Sequence, residues 1–151
     1  MMKPGIPVAL ERFAERWRVR FSRPAPAHLQ RGAHGEKLAC QLLRKHGYKI
    51  LYRNFRGRTG GEIDIVCRDR DTLVFVEVKT RANEDFGRPI ETIGREQRVR
   101  IARGALAWLR MLDDPDILFR FDVIEVVMDL HENPQVNLIT NAFGLPEGYR
   151  Y

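Results

Sequence analysis

Two apolar runs separated by a short polar segment constrain the fold of this chain more than any other feature. The runs cover residues 62–67 (EIDIVC) and 72–79 (TLVFVEVK), and the segment between them reads RDRD. Their β-branched and aromatic side chains favour strands, and the polar segment is short enough for a tight turn. The sequence therefore predicts a β-hairpin that turns near DRD.

Charged residues interrupt this hairpin where a core should lie. Because side chains alternate along a strand, one face of the second run is apolar at its start and charged at its end: Leu73, Phe75, Glu77 and Lys79. The opposite face carries Val74, Val76 and Val78. The same alternation places Ile63, Ile65 and Cys67 on one face of the first run, and Glu62, Asp64 and Val66 on the other. Pairing of the two runs brings Asp64 and Glu77 to the same end of the hairpin.

Two neighbouring carboxylates in a desolvated position call for compensation. Burying a carboxylate costs several kcal/mol without a partner, and two of them repel each other. A divalent cation relieves both costs, and Mg²⁺ prefers oxygen ligands, including one or two protein carboxylates. Lys79 would then orient or deprotonate a water, or neutralise phosphate charge. On spacing alone, a structural ion pair of Lys79 with Glu77 or Asp64 explains the pattern equally well.

The remaining patterns predict an α/β domain with a mixed central sheet flanked by helices. A helix is expected over residues 35–48, capped by Gly47, followed by a strand over 48–55. A second helix is expected from about Arg95 to Leu112, and two further strands over 119–128 and 135–140. The predicted order is α-β-β-β-α-β-β.

Charge is unevenly distributed along the chain. The 151 residues carry a net charge of +6, which is typical of a protein with a polyanionic partner such as nucleic acid. Most of it lies in residues 1–31, which hold two glutamates against seven basic residues: Lys3, Arg12, Arg16, Arg18, Arg20, Arg23 and Arg31. We interpret residues 1–31 as a basic extension with a linker at Arg23–His28, and 32–151 as the domain. The extension is either a tail or packed helix, or a contact for nucleic acid or a membrane surface.

The two cysteines, Cys40 and Cys67, form no CxxC motif and lie in apolar patterns. They are expected to be buried free thiols in a reducing compartment. No segment has the apolar length of a membrane span, and residues 1–31 lack a signal-peptide core. The expected location is the cytoplasm.

Asp64 followed by Glu77-Val78-Lys79 resembles the PD-(D/E)xK nuclease motif. More closely, five segments resemble the YraN-like family of bacterial proteins: GAHGEKLA, GYKILYRNFR, GEIDIV, LVFVEVKTR and FDVIEV. Together they cover roughly residues 32–128. That family is in turn similar to archaeal Holliday-junction resolvases.

The resemblance implies a restriction-endonuclease-like αβββαβ core and hydrolysis of DNA phosphodiesters with Mg²⁺ or Mn²⁺. It implies that Asp64, Glu77 and the Val78 carbonyl hold the metal, that Glu36 ligates directly or through water, and that Lys79 positions the water. Resolvases are symmetric dimers, so a homodimer is expected by analogy. From the residues alone, Glu36 is equally well a surface residue placed by the helix dipole.

The chain departs from the resemblance at two positions. Ile63 stands where the motif has proline, and Glu96 stands where the family usually has lysine. Gln97 is a weaker candidate, because some relatives place a glutamine at the site. The arginines at 53, 56, 81 and 98 are candidate phosphate contacts, whereas Arg58 is interpreted as part of a solvated loop. The alternative to a nuclease is a non-catalytic module that binds nucleic acid or protein.

Overall fold

The computed structural model of the chain describes residues 27–82, 93–112, 116–129 and 132–151. Two helices and five strands lie within these ranges, and their order confirms the prediction. They are α1 (Ala27–Lys45), β1 (Lys49–Arg56), β2 (Glu62–Asp69), β3 (Thr72–Arg81), α2 (Arg95–Leu112), β4 (Leu118–Val127) and β5 (Gln135–Phe143).

The five strands form one mixed sheet in the order β1-β2-β3-β4-β5. The pairs β1–β2, β2–β3 and β4–β5 are antiparallel, whereas β3 and β4 run parallel over their whole length. A parallel pair requires a crossover connection, and α2 lies in the chain between the two strands. This arrangement is compatible with the αβββαβ core of nucleases.

Among the described residues, one helix packs on each face of the sheet. On one face, Val74 and Val76 of β3 cluster with Ala39, Cys40 and Leu43 of α1. On the other face, Leu73 and Phe75 cluster with α2 residues that include Ile101, Ala105, Trp108 and Leu109. Burial on both sides explains why β3 is apolar on both faces until it reaches Glu77.

The predicted alternation along β2 is wrong at Ile63. Ile65 and Cys67 pack on the α1 face, but Ile63 packs with Val66 on the α2 face. The physical reason is that the β2–β3 ladder ends at the pair Ile65–Val76. Beyond that pair, β2 approaches α2 so closely that a Cβ on Gly104 would lie 3.0 Å from Ile63.

Helix α1 begins at Ala27, earlier than the predicted start at residue 35, so the end of the predicted linker is helical. Its carboxyl end is as expected: Gly47 has φ 83°, and the Tyr48 amide donates to the Leu43 carbonyl at 2.9 Å. Residues 1–26, which include most of the predicted basic extension, lie outside the described residues, as do residues 83–92.

The prediction of buried free thiols is confirmed for Cys40 and Cys67. None of the helices within the described ranges is long and apolar enough to cross a membrane.

A charged cluster lies at the turn end of the β2–β3 hairpin. It was not predicted from the sequence. Asp122 of β4 is fully buried, and its Oδ1 accepts hydrogen bonds from Arg120 Nε and from the Asn141 amide, both at 2.9 Å. Arg120 Nη2 also donates to Tyr48 Oη at 2.8 Å and to Asp69 Oδ2 at 3.0 Å. These contacts compensate the buried charge of Asp122 and connect β4 with β2, with β5 and with Tyr48, the residue before β1.

Candidate active site

The hairpin brings Asp64 and Glu77 together as predicted. The β2–β3 ladder ends at Ile65–Val76, and Asp64 and Glu77 are the next residues on the two strands. At this point the Val78 amide donates to Asp64 Oδ2 at 2.7 Å. The side chain of Asp64 therefore takes a hydrogen bond from the β3 backbone just beyond the last paired residues.

Glu77 is the centre of the contacts around this position. It is buried, and its Oε1 lies 3.2 Å from Lys79 Nζ. The same oxygen accepts a hydrogen bond from Gln97 of α2, which was only a weak candidate from the sequence. The Glu77–Lys79 ion pair that the spacing left open is thus present, and α2 contributes an amide to the site.

The two carboxyl groups disturb each other electrostatically. Burial, and to a smaller extent the negative charge of Glu77, raises the pKa of Asp64 to about 7. The hydrogen bond from the Val78 amide acts in the opposite direction and lowers this pKa. Burial also raises the pKa of Glu77, although Lys79, Gln97 and Arg100 oppose the rise. Such a pair binds its protons or a cation more readily than isolated surface carboxylates do.

Replacement of Asp64 with asparagine is expected to stabilise the metal-free protein at neutral pH. Asparagine retains an oxygen for the Val78 amide but removes a buried negative charge and its repulsion from Glu77. Because the pKa of Asp64 is higher in the folded chain than in the unfolded chain, wild-type stability falls as pH rises from about 4 to about 7. The variant's advantage should therefore be small below pH 4 and reach about 1–2 kcal/mol above pH 7.

Urea denaturation in EDTA at several pH values measures this advantage. Asp71→Asn is the matched control, because Asp71 is an exposed carboxylate in the turn of the same hairpin. An Asp64→Asn advantage that did not change between pH 4 and 8 would contradict the electrostatic coupling of the site.

Glu36 reaches the site from α1. Its Oε2 accepts a hydrogen bond from Asn54 Nδ2 at 3.0 Å and lies 3.4 Å from Arg53 Nη2. Its side chain is 18% exposed, and its charge contributes to the raised pKa of Asp64. Within the described ranges, however, no three His, Cys, Asp or Glu side chains stand close enough together to hold a metal ion. The donors available without rearrangement are thus the Asp64–Glu77 pair and backbone oxygens.

Asn54 is a site residue that the sequence analysis missed. It lies in β1 with φ 54°, a left-handed conformation that asparagine tolerates better than most residues. Paired residues resume on either side of it, at Arg53–Ile65 and Phe55–Ile63. The only signal in the sequence was an asparagine within a strand pattern. The left-handed backbone of Asn54 occurs together with the hydrogen bond that its side chain donates to Glu36.

All four arginines predicted to contact phosphate have partners within the protein, although Arg56 stays largely exposed. Arg53 pairs with Glu36. Arg81 Nε lies 3.6 Å from Glu125 Oε1, and both side chains are 12% exposed. Arg98 Nε donates to the Ile93 carbonyl at 3.0 Å, and its guanidinium lies 5.6 Å from the centre of the Phe143 ring. Arg56 pairs with Glu62 at 3.3 Å but remains 78% exposed.

Comparison with known proteins identifies the family. Residues 35–126 match uncharacterised protein family UPF0102. The chain belongs to this family. A UPF0102 protein of Geobacter metallireducens is 47% identical over 114 residues, which cover 76% of this chain and 92% of the relative. One from Nocardia farcinica is 45% identical over 112 residues, covering 74% and 87% of the two chains. The YraN-like resemblance is thereby confirmed.

The UPF0102 match contains the catalytic and metal-binding candidates Glu36, Asp64, Glu77, Val78 and Lys79. It begins at Gly35, where a Cβ would lie 2.0 Å from Thr80 Oγ1 of β3, so glycine lets α1 approach the site end of the sheet. It ends at Val126, near the end of β4. The family match therefore covers the helix and strands that carry Glu36, Asp64 and Glu77.

Proposed function

We propose that this UPF0102 protein is a metal-dependent endonuclease that hydrolyses DNA phosphodiester bonds. The observation that carries the proposal is the juxtaposition of Asp64 and Glu77 at one end of the hairpin, with Lys79 Nζ 3.2 Å from Glu77. Burial raises the pKa of both carboxyl groups, and the negative charge of Glu77 raises that of Asp64 further, so a bound cation would stabilise the pair.

The fold supports the same proposal. Its αβββαβ order is compatible with restriction-endonuclease-like enzymes, to which archaeal Holliday-junction resolvases belong, and we propose that the protein is a member of this superfamily. The substrate would then be DNA of particular structure, such as a junction or a flap, processed in repair or recombination. A homodimer and a cytoplasmic location, in keeping with the buried thiols, are parts of this proposal.

The donor set fits Mg²⁺ or Mn²⁺. Asp64 and Glu77 would hold the ion with the Val78 carbonyl, and Glu36 would assist directly or through water. When bound, the ion would neutralise negative charge on the phosphate. Lys79 donates a hydrogen bond to the attacking water and orients it. Gln97 holds Glu77 Oε1 in place from α2, so that the carboxylate keeps its orientation during the reaction.

A labelled DNA panel tests the function: duplex, single strand, flap and four-way junction, each incubated with Mg²⁺, Mn²⁺ or EDTA. We expect cleavage that requires the metal and that falls at least about a hundredfold in Lys79→Ala. Urea denaturation of Lys79→Ala checks that the fold is retained, because Lys79 is only 25% exposed and pairs with the buried Glu77. Intact DNA in every reaction of the wild-type protein would contradict the nuclease and favour the non-catalytic module, in which Glu77–Lys79 is only a structural ion pair.

A further inference from the structure

Arg53, Arg81 and Arg98 have partners within the protein, so other exposed arginines are candidates for contact with DNA. We propose that Arg58, Arg100 and Arg103, here called the arginine ridge, bind the phosphates of duplex DNA that flanks the cleaved bond. This proposal rests on the proposed function, and it specifies the substrate class as DNA with a double-stranded arm. All three side chains are exposed.

The ridge is assembled by close packing of the β1–β2 loop on α2. A Cβ on Gly57 would lie 3.1 Å from the Ala107 Cβ. At the other end of the loop, a Cβ on Gly61 would lie 2.3 Å from the Gly104 nitrogen and 2.7 Å from the Arg103 carbonyl carbon. The loop backbone thus contacts α2 on both sides of Arg58, because glycine alone fits at these contacts. Arg58 consequently emerges beside the exposed face of α2.

The exposed face of α2 connects this loop with the candidate active site. Arg100 and Arg103 are three residues apart and therefore lie on the same side of the helix. Gln97, three residues before Arg100, contacts Glu77, and the charge of Arg100 acts on Glu77. The path from Arg100 to Ala107 is about 10 Å long, which matches about three phosphates of one strand. The ridge therefore begins at the site and leads away from it.

The charges along this path are predominantly positive. Glu96 lies four residues before Arg100 on the same exposed face, and Glu62 beside the loop is paired with Arg56. Arg103 Nε donates to Tyr149 Oη at 3.2 Å, which leaves its positive charge uncompensated by that contact. Planar guanidinium groups suit phosphate oxygens, and contacts of this kind position DNA without reading its sequence.

Duplex DNA fits the ridge better than a single strand does. Binding of single strands relies on aromatic rings that stack on bases. The rings beneath the ridge, Tyr52, Phe55 and Trp108, pack on one another instead, with centroids 5.1–6.0 Å apart. The arginines lie beside small glycine and alanine residues, so their guanidinium groups can contact a phosphate backbone without obstruction by larger side chains.

Fluorescence anisotropy of the full-length protein tests the ridge. A labelled 20-base-pair duplex and a 20-nucleotide single strand would be titrated in EDTA, where metal-dependent cleavage does not consume them, between about 50 and 300 mM salt. We expect the duplex to bind more tightly than the single strand. In Arg58→Gln/Arg103→Gln, duplex affinity should fall at least about tenfold at 100 mM salt, and the slope of log K against log salt should decrease by about 2.

Two controls separate the ridge from general charge. Arg44→Gln/Lys45→Gln removes the same charge from the last turn of α1, about 15 Å along the helix from Gly35 at the site end, and should keep the wild-type slope. Tyr149→Phe removes the hydrogen bond of Arg103 but not its charge, and should also keep the slope. Equal slope changes in the two double variants, tighter binding of the single strand, or no duplex binding by the wild-type protein would each overturn the ridge.

The outcomes distinguish the ridge from the function on which it rests. If the wild-type protein cleaves DNA with a metal but the salt slope of the ridge variant is unchanged, the nuclease proposal is supported and the ridge proposal is wrong. A reduced slope specific to the ridge variant would support the surface even if no DNA in the panel were cleaved.

Discussion

Replacement of Glu77 with glutamine is expected to reduce metal-dependent DNA cleavage by about a thousandfold or more. The substitution keeps the size of the side chain and an oxygen for Gln97, but it removes the negative charge that a divalent cation requires. Loss of that charge also relieves the repulsion with Asp64, so the metal-free protein should be at least as stable as the wild type. Initial rates on the preferred DNA of the panel, with urea denaturation alongside, measure both effects.

The matched control for this prediction is Asp71→Asn. It makes the same carboxylate-to-amide change in the turn of the hairpin, six residues and about 20 Å from Glu77, and should retain full activity. Wild-type activity in Glu77→Gln would show that the Asp64–Glu77 pair is not the catalytic site. A loss of stability in Glu77→Gln would show instead that the ion pair with Lys79 is mainly structural.

Replacement of Arg120 with methionine should destabilise the protein by about 3–5 kcal/mol. Methionine preserves the apolar length of the side chain but removes the cation that pairs with Asp122, which is fully buried and then keeps the hydrogen bond from the Asn141 amide. It also removes the hydrogen bonds to Tyr48 and Asp69. Urea denaturation at pH 7 measures the loss as a change in the free energy of unfolding.

A second substitution identifies the cause of this loss. In Arg120→Met/Asp122→Asn, the neutral amide still accepts from Asn141 without a buried charge, so a substantial part of the stability should return. Arg58→Met, at an exposed position, should change stability by less than about 0.5 kcal/mol. A double variant no more stable than Arg120→Met would mean that packing around Arg120, rather than the charge of Asp122, determines the effect.

Much of the fold could be predicted because local patterns and tertiary structure agree. The alternation in β3, the tight turn after Asp69 and the glycine after α1 each depend on interactions within a few residues. The error at Ile63 has the opposite origin. Its orientation depends on where the β2–β3 ladder ends and on how closely α2 approaches, and neither is encoded in the periodicity of β2.

The site residues also differ in how far they could be predicted from the sequence. Asp64, Glu77 and Lys79 were recognisable because charge in an apolar hairpin is conspicuous along the chain. Asn54 was not, because its role depends on a left-handed backbone and on a helix 18 residues earlier. The arginines were also ambiguous, since a guanidinium that pairs internally and one that faces solvent look alike in a sequence.

By itself, the sequence determined the order of helices and strands, the hairpin, and the meeting of two carboxylates at one of its ends. These follow from side-chain periodicity and from a turn of two residues, which are local properties. Only the tertiary structure decided which charges are compensated: Gln97 on Glu77, Asn54 on Glu36, Glu125 on Arg81, and Arg120 on Asp122. Three of these four contacts join residues far apart in the chain. The compensation of Glu77, Arg81 and Asp122 also depends on burial, because a charge loses its water only when the helices and strands pack around it.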